Sequence, residues 1–221
     1  RGRLPEDAVN SYFAKYEGRF DLFGASGRPW MQDPRLREQS PKSAGVNKLV
    51  WGRPAGNNLV WLGHHVDSSP APVTAAEAAW SLLAWLYYGP SGRCASREVA
   101  DTKEANMTAG PLRRSLSFHP AGPDLFHSLV LNIPYPGDES ERTPAPWESA
   151  ELPDPLGLPP SGEGLAGLLV SRYRHALLLA PDSDGSHVVD AWITWAWRHP
   201  GPDLRDPYVI HDTSKAGDVY V

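Results

Sequence analysis

Cysteine is nearly absent from this chain: its 221 residues include only Cys94. One thiol builds neither a disulfide framework nor a multi-cysteine metal site, and it suits a reducing, cytoplasmic setting. Long apolar runs are missing as well. The longest, residues 75–88, is interrupted by Glu77 and is too short to span a bilayer, so no membrane association is expected. No GxSxG or GxxxxGK[ST] pattern occurs, which removes the sequence support for a nucleophile elbow or a phosphate loop. No cofactor is expected. The chain opens on Arg1 without a methionine and ends on the strand-like Asp218-Val219-Tyr220-Val221, so it reads as an internal piece of a longer protein.

Positive charge is also in short supply. With 21 Lys and Arg against 26 Asp and Glu, the net charge is −5. Phosphate neutralisation supplies most non-specific affinity for nucleic acid, so such a chain can meet a nucleic acid only through a local surface. The basic side of an asymmetry marks where. Residues 1–53 carry ten basic against six acidic side chains, whereas residues 101–221 carry nine against seventeen.

What remains is enough for a core, since 41% of the residues are hydrophobic. Pro5-Glu6-Asp7-Ala8 predicts a helix start, with Phe13, Tyr16 and Phe20 recurring on one face. Thr74-Ala75-Ala76-Glu77 reads as a capping box opening a core helix over residues 74–88. Ala76, Trp80, Leu83 and Tyr87 should line its inner face, widened by Ala79, Leu82 and Leu86, and Gly89-Pro90 should stop it. Leu116-Ser117-Phe118 suggests a short strand. Pro123-Asp124 should cap a helix to Asn132 with Leu125, Phe126, Leu129 and Val130 inward, and residues 165–173 suggest another helix. Residues 176–180 and 188–197 look like a hairpin around Asp182-Ser183-Asp184-Gly185, with edge strands at 208–211 and 219–221. Residues 134–160 hold eight prolines among acids and read as a solvated connector pinned by Trp147. Helices and antiparallel strands without a βαβ rhythm indicate α+β: one irregular mixed domain over residues 1–221, with a few core helices, short antiparallel strands and long loops.

Two loops carry the candidate chemistry. Residues 46–67 contain Trp51, Trp61, three asparagines, Lys48, Arg53 and the pair His64-His65, punctuated by Gly52, Pro54, Gly56 and Gly63. Such a mixture can stack on and hydrogen-bond to bases. The alternative is a self-packed loop whose Trp51 and Trp61 form satellite core, with Asn57 and Asn58 as turn residues. The second loop, Gly89-Pro90-Ser91-Gly92-Arg93, has two glycines that permit close backbone approach to a ligand, or is simply a helix-ending turn. A metal-dependent hydrolase built on His64, His65 and Asp67 is a competing expectation, because paired imidazoles and a carboxylate suit Zn or Fe. Cys94, flanked by Arg93 and Arg97, could be an activated thiolate if they lower its pKa. Most of the nine tryptophans fall in predicted core elements, against a carbohydrate-stacking reading.

The order of segments adds a resemblance. Tyr12-Phe13 to Phe20-Asp21-Leu22-Phe23, Arg28-Pro29-Trp30-Met31-Gln32, and Ala55-Gly56-Asn57-Asn58 through His64-His65 follow one another. The core helix with its Gly-rich stop, Gly110-Pro111-Leu112, the helix from Asp124-Leu125-Phe126 to Leu131-Asn132, and Pro146-Trp147-Glu148 continue the series. From about residue 10 to 200 this order resembles the large subunit, CasA, of the type I-E CRISPR Cascade complex. The resemblance implies the N-terminal domain of a longer, non-enzymatic bacterial subunit in RNA-guided antiviral defence. It also implies contact with the CRISPR RNA 5′ handle, target double-stranded DNA, the other Cascade subunits and a recruited helicase-nuclease. By that resemblance Asn57, Asn58, Trp61, Leu62, His64 and His65 would bind the RNA, with Leu62 at the inserted position and Trp61 beside it. Gly89, Pro90, Ser91, Gly92 and Arg93 would approach the protospacer-adjacent motif from the minor groove. Two family devices do not carry over: no lysine lies in residues 188–192, where a Lys finger would fall, and the strand-separating wedge would lie beyond residue 221.

Overall fold

The computed structural model describes residues 4–24, 27–113, 119–133, 144–159 and 173–199, and the backbone of 211–214 and 217–220. The short strand expected at 116–118, residues 165–172 of the helix expected at 165–173, residues 134–143 and 160 of the connector, and residues 208–210 of the edge strand expected at 208–211 lie outside the described residues.

An α+β fold is built around a three-stranded antiparallel sheet. Its order is β1 (Val73–Thr74), β5 (His187–Trp195), β4 (His175–Pro181), so the expected hairpin is its centre. Strand alternation sorts the β4–β5 pairs onto two faces. Leu177 opposite Ile193 and Leu179 opposite Ala191 join the main core, whereas Ala176 and Leu178 pack with Leu36, Ala196 and Trp197 behind it. Both faces are covered, which is why β4 reads as the unbroken apolar run Ala176-Leu177-Leu178-Leu179-Ala180.

Helix α4 (Ala75–Tyr88) closes the main face. Thr74 Oγ1 accepts the Glu77 N–H at 3.2 Å, and the Gly89 N–H returns to the Trp85 carbonyl at 3.1 Å, so both ends fall where the sequence puts them. Its phase does not. Ala78, Leu82, Trp85 and Leu86 face the core, Leu83 and Tyr87 are half-buried, and Trp80 is 74% exposed. The helix is apolar nearly all round, so its own pattern leaves the rotation open. One partner fixes it: the buried Trp85 indole N–H donates to the Leu49 carbonyl at 2.8 Å. That carbonyl belongs to the short helix α3 (Val46–Leu49), so the 46–67 stretch opens on a helix and not on loop, with Val46, Asn47 and Leu49 buried.

The hairpin β2 (Gly92–Val99) and β3 (Thr102–Met107) lies against β5; no sequence signal above marks it. Beneath it Arg97, fully buried, donates to Asp33 at 2.6 Å, to Gln39 Oε1 through both Nε and Nη2, and to the Trp195 carbonyl at 2.9 Å. Burial alone would push the Asp33 carboxyl up; hydrogen bonds from Arg35 and the charge of Arg97 outweigh it and hold the carboxyl below its ordinary value. This network joins the hairpin to the irregular segment around α2 (Leu36–Gln39).

Two expected faces turn out differently. Helix α5 (Leu125–Leu131) is capped by Asp124 as expected, but Leu125, Leu129 and Val130 are exposed and only Phe126 is partly covered. Strands β6 (His211–Ser214) and β7 (Gly217–Tyr220) pair with each other in a separate two-stranded sheet and do not extend the main one.

Residues 144–159, the described part of the segment read as a solvated connector, are pinned by Trp147 as expected and are also docked along much of their length. Trp147 donates to the Tyr12 hydroxyl on α1 (Glu6–Lys15), and that hydroxyl donates to Glu148, both at 2.7 Å. The indole also lies among the rings of Phe20 and Trp30. Arg28 donates to the carbonyls of Pro146, Ser149 and Ala150, and Arg35 to that of Pro153. Prolines withhold donors, so their carbonyls are met by arginine forks and not by a strand.

Candidate nucleic-acid interface

The 50–69 excursion is stapled at its base and open at its tip. Asn47 donates through Nδ2 to the Val66 carbonyl at 3.1 Å, and the Asp67 carboxylate accepts the Gly56 N–H at 2.9 Å. Arg53 reaches the Ala71 carbonyl at 2.6 Å, and Ala55 with Asn58 and Val66 with Ser69 each form an isolated bridge. Between these staples the apolar residues point outward. Trp61 is 92% exposed, Leu62 is 96% exposed in the left-handed region at φ 59°, and Leu59, Asn57, Asn58 and His64 are exposed beside them. His65 is half-buried. The satellite-core alternative therefore fails for Trp61. It holds in part for Trp51, whose ring meets Trp85 edge-on at 6.2 Å while its outer side stays open.

Below the excursion is a cleft of about 280 Å³, floored by Asn47, Trp51 and Trp85 and reaching Asn58, Val60 and Pro90. It brings the two candidate loops together, a proximity the sequence did not announce. Lys48, Arg53 and Arg113 ring it; among the described residues none of them pairs with a carboxylate. Arg113 lies over the Trp51 ring and Lys48 over the Trp85 ring, each at 5.8 Å. Arg113 was not singled out by sequence, because it sits far along the chain in a turn with no motif of its own.

The second loop is shorter than expected. Gly89, Pro90 and Ser91 are irregular, whereas Gly92 and Arg93 already belong to β2, opposite Met107 and Asn106. Its two glycines do different work. A Cβ on Gly89 would lie 2.5 Å from the Trp85 carbonyl oxygen and 2.6 Å from the His175 ring, so this glycine serves an internal close approach. Gly92, at φ 133° and with open space around it, is the outward one. His175 supports the turn from beneath: its Nε2 lies 3.1 Å from the Pro90 carbonyl, which can only accept, so Nε2 carries the proton. Burial pulls its pKa down to about 4, and the ring is neutral at pH 7.

The competing chemistries find no support. Among the described residues no group of three or more His, Cys, Asp and Glu could hold a metal ion, and Asp67 is engaged with Gly56. Cys94 is not an activated thiol: burial pushes its pKa up, opposed by a contact with Thr194 at 3.4 Å. Among the described residues no helix is long and apolar enough to cross a membrane.

The comparisons with known proteins converge on one family. The family model of the CRISPR-associated protein Cse1 matches residues 1–221. The chain belongs to the Cse1 family. A CasA/Cse1 protein of Thermus thermophilus is 30% identical over 142 residues, 63% of this chain and 27% of that protein. A chain of a pre-nicking CRISPR RNA-guided surveillance complex is 58% identical with a TM-score of 0.89, covering 97% of this chain. The crystal structure of Thermus thermophilus CasA, at 20% identity and a TM-score of 0.71, shares the fold; the match covers 99% of this chain and 42% of that one. This Cse1-family chain likewise spans 42% of the length of the surveillance-complex chain it matches.

Proposed function

We propose that this chain is part of the large subunit of a bacterial, cytoplasmic CRISPR RNA-guided surveillance complex, acting by recognition and not by catalysis. In this reading the excursion contacts the 5′ handle of the guide RNA. Asn57 and Asn58 hydrogen-bond to nucleotides, Trp61 or Leu62 packs on an unstacked base, and His64 and His65 flank the contact. Gly89, Pro90, Ser91, Gly92 and Arg93 approach the target duplex beside its motif, where backbone in the minor groove gives relaxed discrimination. The other subunits and a helicase-nuclease complete the set of partners.

One observation carries this reading: an aromatic and a leucine, each more than nine-tenths exposed, stand at the tip of a loop whose base is tied down. Exposed apolar side chains on a held scaffold are what an interface offers. The test is Trp61→Ala and Leu62→Ala in the full-length subunit. Stacking on one base is worth about 1–3 kcal/mol, so the variant lacking the inserted side chain should assemble roughly ten- to hundredfold less well with guide RNA. Both variants assembling like the parent would sink the reading.

A further inference from the structure

The cleft beneath the excursion has a feature that its own packing does not account for. Asn47 is 1% exposed, and its Nδ2 donates to the Val66 carbonyl at 3.1 Å. A carbonyl cannot donate, so the amide is oriented by that bond, and its Oδ1 is left buried without a partner. A buried acceptor without a donor is costly, and Asn47 lines the cleft. Around it stand Lys48, Arg53 and Arg113, free of carboxylates among the described residues, and the open side of Trp51.

We infer that the cleft receives one unstacked nucleotide of the guide RNA, its base donating an N–H to Asn47 Oδ1 beside Trp51, its phosphate held by Lys48, Arg53 and Arg113. This rests on the guide-RNA reading above and gives it a second, interior contact besides the loop tip. The size of the cleft, about 280 Å³, is just below that of small-molecule pockets, which run roughly 300–1,000 Å³. A base with its sugar matches that scale, whereas a duplex, with its bases paired and stacked, does not enter. Unstacked bases belong to single strands, and RNA recognition targets them. A backbone phosphodiester alone would use the cations but leave Asn47 Oδ1 unmet, since it carries no hydrogen-bond donor. A nucleotide answers both requirements, because adenine, guanine and cytosine each carry an exocyclic amine.

The experiment uses the surveillance complex assembled with the full-length subunit. Each nucleotide of the 5′ handle is made abasic in turn, against the parent, Arg113→Gln and Trp51→Leu; Arg113 is exposed, and Trp51 meets the core only edge-on at Trp85, where leucine keeps an apolar side chain. One abasic position should weaken assembly about tenfold or more with the parent and far less with Trp51→Leu, because that variant and the abasic site remove the same base contact. Arg113→Gln, which removes a phosphate contact, should weaken assembly with the intact handle. In parallel, adenosine monophosphate is titrated into the RNA-free subunit by tryptophan fluorescence, and guide RNA should displace it. If no abasic position matters and Arg113→Gln and Trp51→Leu assemble like the parent while Trp61→Ala or Leu62→Ala does not, the cleft assignment is wrong and the loop reading stands. A parent that fails to engage guide RNA removes both. Adenosine monophosphate displaced by duplex DNA and not by guide RNA also overturns the inference, since the cleft would then serve the other nucleic acid.

Discussion

Two irregular segments of this chain invert the usual rule of inside and outside. Around Asp33 the structure buries charge: Arg97 has no exposed surface, and its guanidinium is shared among a carboxylate, a side-chain amide and a backbone carbonyl. At the tip of the 50–69 excursion it exposes Leu59, Trp61 and Leu62. Both segments are rich in arginine, glycine or proline and lack regular period, so composition does not separate them. What separates them is whether each polar group finds a partner. Asp33 meets two guanidiniums and gives its N–H to the Leu177 carbonyl, so the segment can be covered. The tip carries Asn57, Asn58 and several backbone groups with few internal partners, and water or a ligand must serve them.

Breaking the buried network should have the largest effect. Arg97→Met leaves Asp33 buried with only Arg35, and losing one partner of a buried pair costs about 3–5 kcal/mol, read by urea denaturation. A loss under about 1 kcal/mol would mean that the network is not what holds the hairpin β2–β3. The phase of α4 gives the next contrast. Leu82→Ala should cost about 2–5 kcal/mol and Trp80→Ala less than about 0.5 kcal/mol, despite the larger side chain lost. The reverse order would place Trp80 inside.

Acidification tests the support under the second loop. The unfolded His175 titrates near 6.5 and the folded one at about 4, so between those values the unfolded chain binds more protons. Stability is therefore full above pH 6.5 and falls as pH drops toward 4, by roughly 3 kcal/mol in all. His175→Gln should remove that step from the stability–pH curve; an unchanged curve would assign the step elsewhere. The smallest effect belongs to the tip. Trp61→Ala and Leu62→Ala should move stability by less than about 0.5 kcal/mol, with the melting temperature almost unmoved, because neither side chain is covered.

The sequence by itself determined the ends of α4, since a threonine with a free N–H one turn on and a Gly-Pro stop act within a few residues. Local alternation determined the β4–β5 hairpin around Asp182-Ser183-Asp184-Gly185, and residue order through the chain pointed to the family. The excursion was legible as loop from Gly52, Pro54, Gly56 and Gly63, but only from Val50 onward. Rotation of α4 was not legible: a helix apolar on every side offers no preferred face, and the choice fell to one indole meeting the carbonyl of Leu49. For α5 the apolar face was visible, but whether anything covers it depends on chain far away in sequence. The same holds for Cys94, whose neighbours Arg93 and Arg97 are basic in the sequence while burial beside Thr194 governs its thiol. The cleft belongs wholly to the tertiary structure. Asn47, Pro90 and Arg113 meet only when α3, the end of α4 and the turn after β3 converge, and contacts of that separation leave no local period to read.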